Sequence, residues 1–430
     1  MNVSSDALDS AHRLYARLWR WHFFAALIVI PFVLWQGLTG VTYLWHRELT
    51  GLIYPQLLNV EPQPTRVSYE QQLQSALAHH PSDQLQSIEI TEAPASSTTF
   101  FFAAANGLPS PAFVNPHTGE YLGHVESTQW LRGLSKGLHG GWPINPWGSY
   151  LLELGACWAI VMTLTGLYLW WPRNANGFGG VLYPRLRSGQ RIFWRDLHSV
   201  VGMYFALIML AFLFSALPWT SFWGERVLRP IQHATHQDSP TGFFFAGHHG
   251  KADHSQYPVH GQPLTLDDIV ARARAAGATG NIELQPNAAG GPINLRTDRP
   301  RSSEEVWMQL DGHSGAVATR VTWEDIPPLA KAIAMGIDLH EGHWFGRINQ
   351  IFNTLVVAAL LWLCVTGFIG WYKRRPSGRL AAPPKRPLIF PRAVIVTGAV
   401  LCIVMPLLAL SVVAIEILDR SFGRVLAKPA

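Results

Sequence analysis

Five long runs of apolar positions, separated by polar stretches of very unequal length, frame the chain. They cover Phe23–Trp45, Tyr150–Trp171, Val200–Trp219, Ile351–Tyr372 and Ala393–Ile415. At about 1.5 Å of rise per residue even the shortest reaches roughly 30 Å, one hydrocarbon thickness. Each run therefore predicts a membrane-crossing helix. Pro31 and Pro406 interrupt two of them, which is tolerable where neighbouring helices cover the backbone groups a proline leaves unpaired. The two long polar stretches carry shorter periods. In the first, a helix over 69–80 precedes strands near Gln86–Thr91, Thr98–Ala104, Ala112–Asn115 and Tyr121–Val125. In the second, a helix over 266–276 precedes strands near Asn281–Gln285, Ile293–Thr297, Val306–Leu310 and Ala316–Thr322. The turns Asn115–Gly119 and Asp311–Gly315 have the Asn, Asp, Pro and Gly chemistry of hairpins.

The two halves of this pattern match. Trp19-Arg20-Trp21-His22 opens the first span, and Trp194-Arg195-Asp196-Leu197-His198 opens the third. His22 lies 18 residues before Gly40, and His198 lies 18 before Ala216. Leu138-His139 precedes the second span and Leu339-His340 the fourth, each His 26 residues before a Thr-Gly pair, Thr165-Gly166 and Thr366-Gly367. Both pairs lead to an aromatic and basic exit, Trp170–Arg173 and Trp371–Arg374. The repeat unit reads as span, α+β insert, span, with copies related by an axis along the membrane normal. The fifth span lies outside it. Numerically the segments are 1–50 (first span), 60–128 (first insert), 131–173 (second span and its approach), 174–197 (basic connection), 198–222 (third span), 225–325 (second insert), 328–373 (fourth span and its approach), 374–392 (basic connection) and 393–417 (fifth span).

Composition agrees with a membrane class. Only 14% of the 430 residues are charged, against about 25% in soluble domains. Cys157, Cys364 and Cys402 all fall in apolar runs and form no CxxC or CxxCH, which excludes covalent c-type haem and cysteine-ligated clusters. The net charge of +5 is topological: Arg13, Arg17 and Arg20, then Arg173–Arg195, then Lys373–Arg392 all flank the same ends of the spans. Positive flanks mark the cytoplasmic side, so the N-terminus is expected inside and the C-terminus outside an inner membrane. Nothing asks for a nucleic-acid partner. The first run has no small-residue cleavage pattern and reads as an uncleaved span.

The candidate chemistry lies in histidines. A lone His at a span end is commonly an interfacial residue, but four at matched repeat positions are candidates for function. His22 and His198 sit at the cytoplasmic ends of spans one and three. His139 and His340 sit at the periplasmic ends of spans two and four, where His343 or His46 can replace either. Neutral imidazoles from facing helices can hold a low-spin b-type haem, and two such sites, with two haem b, would carry electrons across the bilayer. A second group, His233, His236, His248, His249, His254 and His260, reads as a solvated loop or a loose transition-metal binder. Glu153 can cap backbone, move a proton or contact a substrate. Gly177–Gly180 lacks the strand and helix of a dinucleotide site, so electrons would arrive from a donor protein or quinol.

These motifs together resemble the PepSY-associated transmembrane family over about residues 12–376, and the inserts resemble PepSY domains through their hairpin turns. The resemblance implies a mostly α membrane protein: a four-helix transmembrane bundle built from a duplicated span–PepSY–span unit, plus a fifth C-terminal span, with two small α+β periplasmic PepSY-like domains. It also implies an iron-regulated bacterial inner-membrane protein, of the type that reduces Fe(III)-siderophores in the periplasm and releases Fe(II). The haem role then falls on His22, His198, His139 and His340. The His-rich insert and the fifth span depart from the family pattern and leave the substrate open. A non-redox protein whose modules bind periplasmic proteins is an alternative. So is a metal permease, which lacks paired charges along the spans.

Overall fold

The computed structural model describes residues 3–173, 177–240, 264–286, 291–375 and 391–426, with side chains over residues 12–417 of these. In chain order the elements are α1 (Val3–Leu44), α2 (His46–Ile53), α3 (Pro55–Leu58), α4 (Tyr69–His79), β1 (Leu85–Ile90), β2 (Thr98–Ala103), β3 (Pro109–Val114), β4 (Tyr121–His124), α5 (Leu131–His139), α6 (Trp147–Trp170) and α7 (Gln190–Ala216). There follow α8 (Arg229–Ala234), α9 (Leu266–Ala275), β5 (Asn281–Gln285), β6 (Ile293–Asp298), β7 (Trp307–Leu310), β8 (Val317–Val321), α10 (Pro328–His340), α11 (Arg347–Tyr372), α12 (Arg392–Val404) and α13 (Pro406–Leu426). They fall into two compact units. One comprises Met1–Thr39, His139–Leu228 and Phe352–Ala430; the other comprises Gly40–Leu138 and Arg229–Ile351.

The first unit is helical. Among the described residues four helices are long and apolar enough to cross a membrane: His12–Leu44, Trp147–Trp170, Gln190–Trp219 and Arg347–Tyr372. Val29 and Val33 of α1, Ala159 of α6 and Cys364 of α11 form a buried seam, against which Leu213 of α7 packs. The helices approach closely where a side chain is missing: a Cβ on Gly155 would lie 2.4 Å from the Phe32 ring.

The fifth apolar run departs from the straight span expected of it. α12 and α13 meet at a bend of 119°. The cause is local: Pro406 has no N–H to continue the ladder and disfavours the helical region for the residue before it. Met405 accordingly takes φ −124°, ψ 84°. The indole of Trp223 donates to the Val404 carbonyl at 2.8 Å, and that of Trp158 donates to Ser411 Oγ at 3.2 Å. Met405 and Leu408 pack with Cys157, Ile160 and Leu217, so the bend is held by α6 and the end of α7.

The second unit carries one antiparallel sheet of eight strands in the order β4-β3-β2-β1-β5-β6-β7-β8. The sequence reads two separate α+β modules, and the strands it predicts are all present. The structure adds the pairing of β1 with β5, which joins Ile88 to Leu284 and Ile90 to Ile282. A single apolar core then runs under both halves, from Ala76, Phe100 and Phe102 to Ile269, Leu295 and Leu310. The opposite face of β2 is covered too: Phe101 packs with Phe113, Trp130 and Leu57.

At the seam Glu89 lies opposite Glu283, a like-charge pair that would oppose pairing by itself. Each carboxylate has its own arginine. Arg132 bonds Glu89, and Arg296 donates from Nε and Nη2 to Glu283 at 2.8 and 2.6 Å. Burial works against ionising Glu283, yet Arg296 and Arg132 hold it below the usual carboxylate range.

The helices of the two halves also cap one another. Asp267 of α9 accepts the Tyr69 and Glu70 N–H groups at the start of α4, both at 2.9 Å. In return Glu70 accepts the Leu266 N–H at 3.2 Å. A helix N-terminus leaves donors unsatisfied and favours negative charge. Asp267→Ala should therefore cost this unit about 1–2 kcal/mol. Hydrogen exchange of the Tyr69 and Glu70 amides would read it, and unchanged protection there would show that the cap is idle.

Candidate functional site

His22 on α1 and His198 on α7 face one another with ring centroids 6.3 Å apart and planes at 83°. Each imidazole is held in the same way by a different helix. His22 Nδ1 lies 3.1 Å from the Met162 carbonyl and 3.2 Å from Thr165 Oγ1, both on α6. His198 Nδ1 lies 3.1 Å from the Leu363 carbonyl and 3.2 Å from Thr366 Oγ1, both on α11. A carbonyl only accepts, so each Nδ1 carries the proton and donates it. Each Nε2 is left with its lone pair, the tautomer of a neutral imidazole ligand.

The Thr-Gly pairs that mark the repeat thus have a physical role. The threonines buttress the imidazoles, and the glycines make room beside them. A Cβ on Gly166 would stand 3.2 Å from His22 Cε1, and one on Gly367 would stand 3.2 Å from His198 Cε1. Sequence reading found these pairs as markers and missed them as partners of the histidines. Their constant spacing was the available signal.

Seven residues past each glycine comes an arginine laid on an aromatic ring of α1. Arg173 sits 5.2 Å from the Tyr15 ring centre and Arg374 sits 5.2 Å from that of Trp19. Burial lowers the Arg374 guanidinium below its usual range, and Arg195 nearby adds to the effect. Arg17, also on α1, is 5% exposed. Two basic side chains that follow the Thr-Gly pairs therefore lie against α1, the helix that carries His22.

His139 ends α5, in the helical unit. Its Nδ1 is 3.0 Å from Thr39 Oγ1, and its carbonyl accepts from Gln36 Nε2 at 3.2 Å. Thr39 is followed by Gly40, so it too stands in a Thr-Gly pair. The loop after His139 is tight: Gly141 has φ +102°, and a Cβ on Gly148 would fall 1.9 Å from the Gly141 carbonyl oxygen.

His340 ends α10, in the sheet unit. The turn beyond it is fixed there by Gly342, with φ +78°, by Gln350 Nε2 donating to the Leu44 carbonyl at 2.7 Å, and by an Arg347–Glu48 ion pair. His343 sits in that turn, its Nδ1 3.7 Å from Glu341. His46 stacks on Tyr43, centroids 5.2 Å apart, and its Nδ1 donates to the Tyr43 carbonyl at 2.6 Å. Burial, followed by the charge of Arg132, pushes His46 down to about 3, so its imidazole stays neutral.

Glu153 on α6 is fully buried. Its Oε2 accepts the Phe222 and Trp223 N–H groups at 3.2 and 3.0 Å. Of the roles open to it, the geometry shows backbone capping. Of the second histidine group, His233 lies 3.3 Å from Asp238 and His236 has φ +56°. His248, His249, His254 and His260 lie outside the described residues. Among the described residues no group of three or more His, Cys, Asp or Glu side chains is placed to hold a metal ion.

Several apolar helices of spanning length, joined to a unit with an antiparallel sheet, define a multi-pass membrane protein. The chain belongs to the family described as the PepSY-associated TM region, which matches residues 19–374. No curated protein matches it.

Proposed function

We propose that this protein is a di-haem b electron carrier of a bacterial inner membrane that reduces a periplasmic ferric chelate, a Fe(III)-siderophore, and so releases Fe(II). The observation that carries the reading is the His22/His198 pair, with two matched imidazoles whose lone-pair nitrogens are both available. Two imidazole–metal bonds of about 2.0 Å, each extended by roughly 1 Å from nitrogen to ring centre, separate the centroids by about 6 Å. The 6.3 Å found here would let His22 and His198 together hold one haem iron between them. The glycines leave room beside the rings for a flat macrocycle, and Arg173 and Arg374, laid on α1, would suit its carboxylates. Haem iron supplies one-electron transfer when bound.

The chain's own contribution is to fix the imidazole tautomers through the carbonyls of Met162 and Leu363, to orient the rings through Thr165 and Thr366, and to neutralise negative charge with arginine. The matched sequence spacing of His139 and His340, each 26 residues before a Thr-Gly pair, supports a second haem, with His46 and His343 as alternates. Thr39 orients His139 as Thr165 orients His22. On this reading, which the basic flanks of the spans support, the N-terminus is cytoplasmic and both inserts are periplasmic. Electrons from a donor protein or quinol would pass from the His22/His198 site to the His139/His340 site. The test is direct. Purified protein should bind two haems per chain with a low-spin b-type reduced-minus-oxidised spectrum, and should be reoxidised by a ferric siderophore. A folded, haem-free protein sinks the proposal and leaves a non-redox binding role.

A further inference from the structure

At the β4 edge of the sheet unit, away from every group discussed so far, lies a chain of polar side chains from α4 and β4. His80 Nδ1 is 2.9 Å from Asp83 Oδ2, and His80 Nε2 is 2.9 Å from the Tyr121 hydroxyl. The same hydroxyl is 3.3 Å from His124 Nδ1, and His124 Nε2 is 3.4 Å from Glu126 Oε1. His79 stacks on the Tyr121 ring with centroids 3.9 Å apart and planes at 6°.

Counting protons along this chain exposes a deficit. Carboxylates accept, so Asp83 claims the Nδ1 proton of His80 and Glu126 claims the Nε2 proton of His124. Two lone-pair nitrogens, His80 Nε2 and His124 Nδ1, then converge on a phenol that has one proton to give. Turning the His124 tautomer over only moves the conflict, since its Nε2 lone pair would then face the Glu126 carboxylate. A cation held by the two nitrogens and the phenol oxygen would complete the set.

The distances suit a metal. Donors each about 2.0 Å from a cation, at roughly 90–110° to one another, stand about 2.9–3.3 Å apart, as the hydroxyl does from the two nitrogens. Metal-ligating histidines characteristically give their other N–H to a carboxylate, and both do so here. His80 is 8% exposed while His124 is 44% exposed, so one side is anchored and the other open to solvent. The donor set is two imidazoles and a phenol, with the carboxylates behind the imidazoles, and therefore differs from a site made of three His, Cys or carboxylate ligands.

The geometry points to a binding site for a divalent transition cation formed by His80 Nε2, His124 Nδ1 and Tyr121 Oη. On binding, the metal gains a phenolate oxygen and two neutral nitrogens, and the phenol releases one proton to solvent. Zinc chloride is a suitable probe, titrated calorimetrically into the full-length protein as purified, in two buffers of different ionisation heat. The six insert histidines (His233, His236, His248, His249, His254 and His260) are replaced by Gln to remove competing sites. The expected result is one Zn(II) bound per chain with about one proton released. Tyr121→Phe should abolish the proton release and weaken binding about tenfold or more, and His124→Gln, at an exposed position, should weaken it similarly. Binding that is absent, or unchanged by both substitutions, overturns the site.

Discussion

His22→Ala and His198→Ala should each reduce bound haem from two to one per chain, the largest functional loss expected of any single substitution here. The two imidazoles are opposed at 6.3 Å, and removing one leaves the other without a partner. Gly166→Leu tests the same site without touching a ligand, because a Cβ there already approaches His22 Cε1 to 3.2 Å and the added branch must displace the ring. Thr165→Val is the graded control. His22 Nδ1 keeps the Met162 carbonyl at 3.1 Å but loses the hydroxyl at 3.2 Å. The expected cost is about 10-fold or more in haem retention, without loss of the spectrum. Haem stoichiometry and the low-spin spectrum of the folded variants decide the matter. Full haem content in both alanine variants would remove His22 and His198 from the site.

The second large effect is on the pH dependence of the sheet unit. Burial pushes Glu305 up to about 8; Arg296 opposes this, and Asp338 and Asp298 add to it. A carboxyl whose folded pKa is raised contributes stability that is complete below its unfolded value, near 4.5, and is lost as pH rises towards 8. His46, depressed to about 3, acts in the other direction. Its contribution is present above about 6.5 and is lost as pH falls from there towards 3. Between about 4.5 and 6.5 the two oppose each other, so the window above 6.5 isolates Glu305. Across pH 6.5 to 8 the unit should lose about 2 kcal/mol, at about 1.4 kcal/mol per unit. Glu305→Gln should flatten that limb and leave the acid limb intact. Hydrogen exchange of β7, which begins two residues after Glu305, provides the measurement, and a wild-type profile that is flat above 6.5 would rule the effect out.

Most of the elements were legible in the chain. Spans one to four follow from apolar length, and all eight strands follow from short apolar runs bounded by turn residues. The hairpins at Asn115–Gly119 and Asp311–Gly315 follow from glycines that take φ +76° and +67°. What escaped are features set by contacts distant in sequence. The fifth apolar run has the length of a span and Pro406 marks where it breaks, but the 119° bend is held by distant contacts such as Trp223 donating to the Val404 carbonyl. The union of the two inserts depends on β1 finding β5, with Arg132 and Arg296 neutralising Glu89 and Glu283 across the seam. Arg296 is the cross-strand neighbour of Glu283 on β6 and close to it in sequence, but the meeting of Glu89 with Glu283 joins distant segments, so local pattern carries no trace of that pairing.

The sequence by itself therefore determined the membrane class, the positions of the spans and strands, and the matched histidines, because these depend on periodicity, length and spacing along one chain. Only the tertiary structure decided that His22 meets His198, that Met162 and Leu363 set their tautomers, and that eight strands share one sheet. Those outcomes rest on hydrogen bonds and packing between residues up to 190 or more positions apart, such as Glu89 and Glu283. Spacing can suggest such meetings, but only three-dimensional packing brings them about.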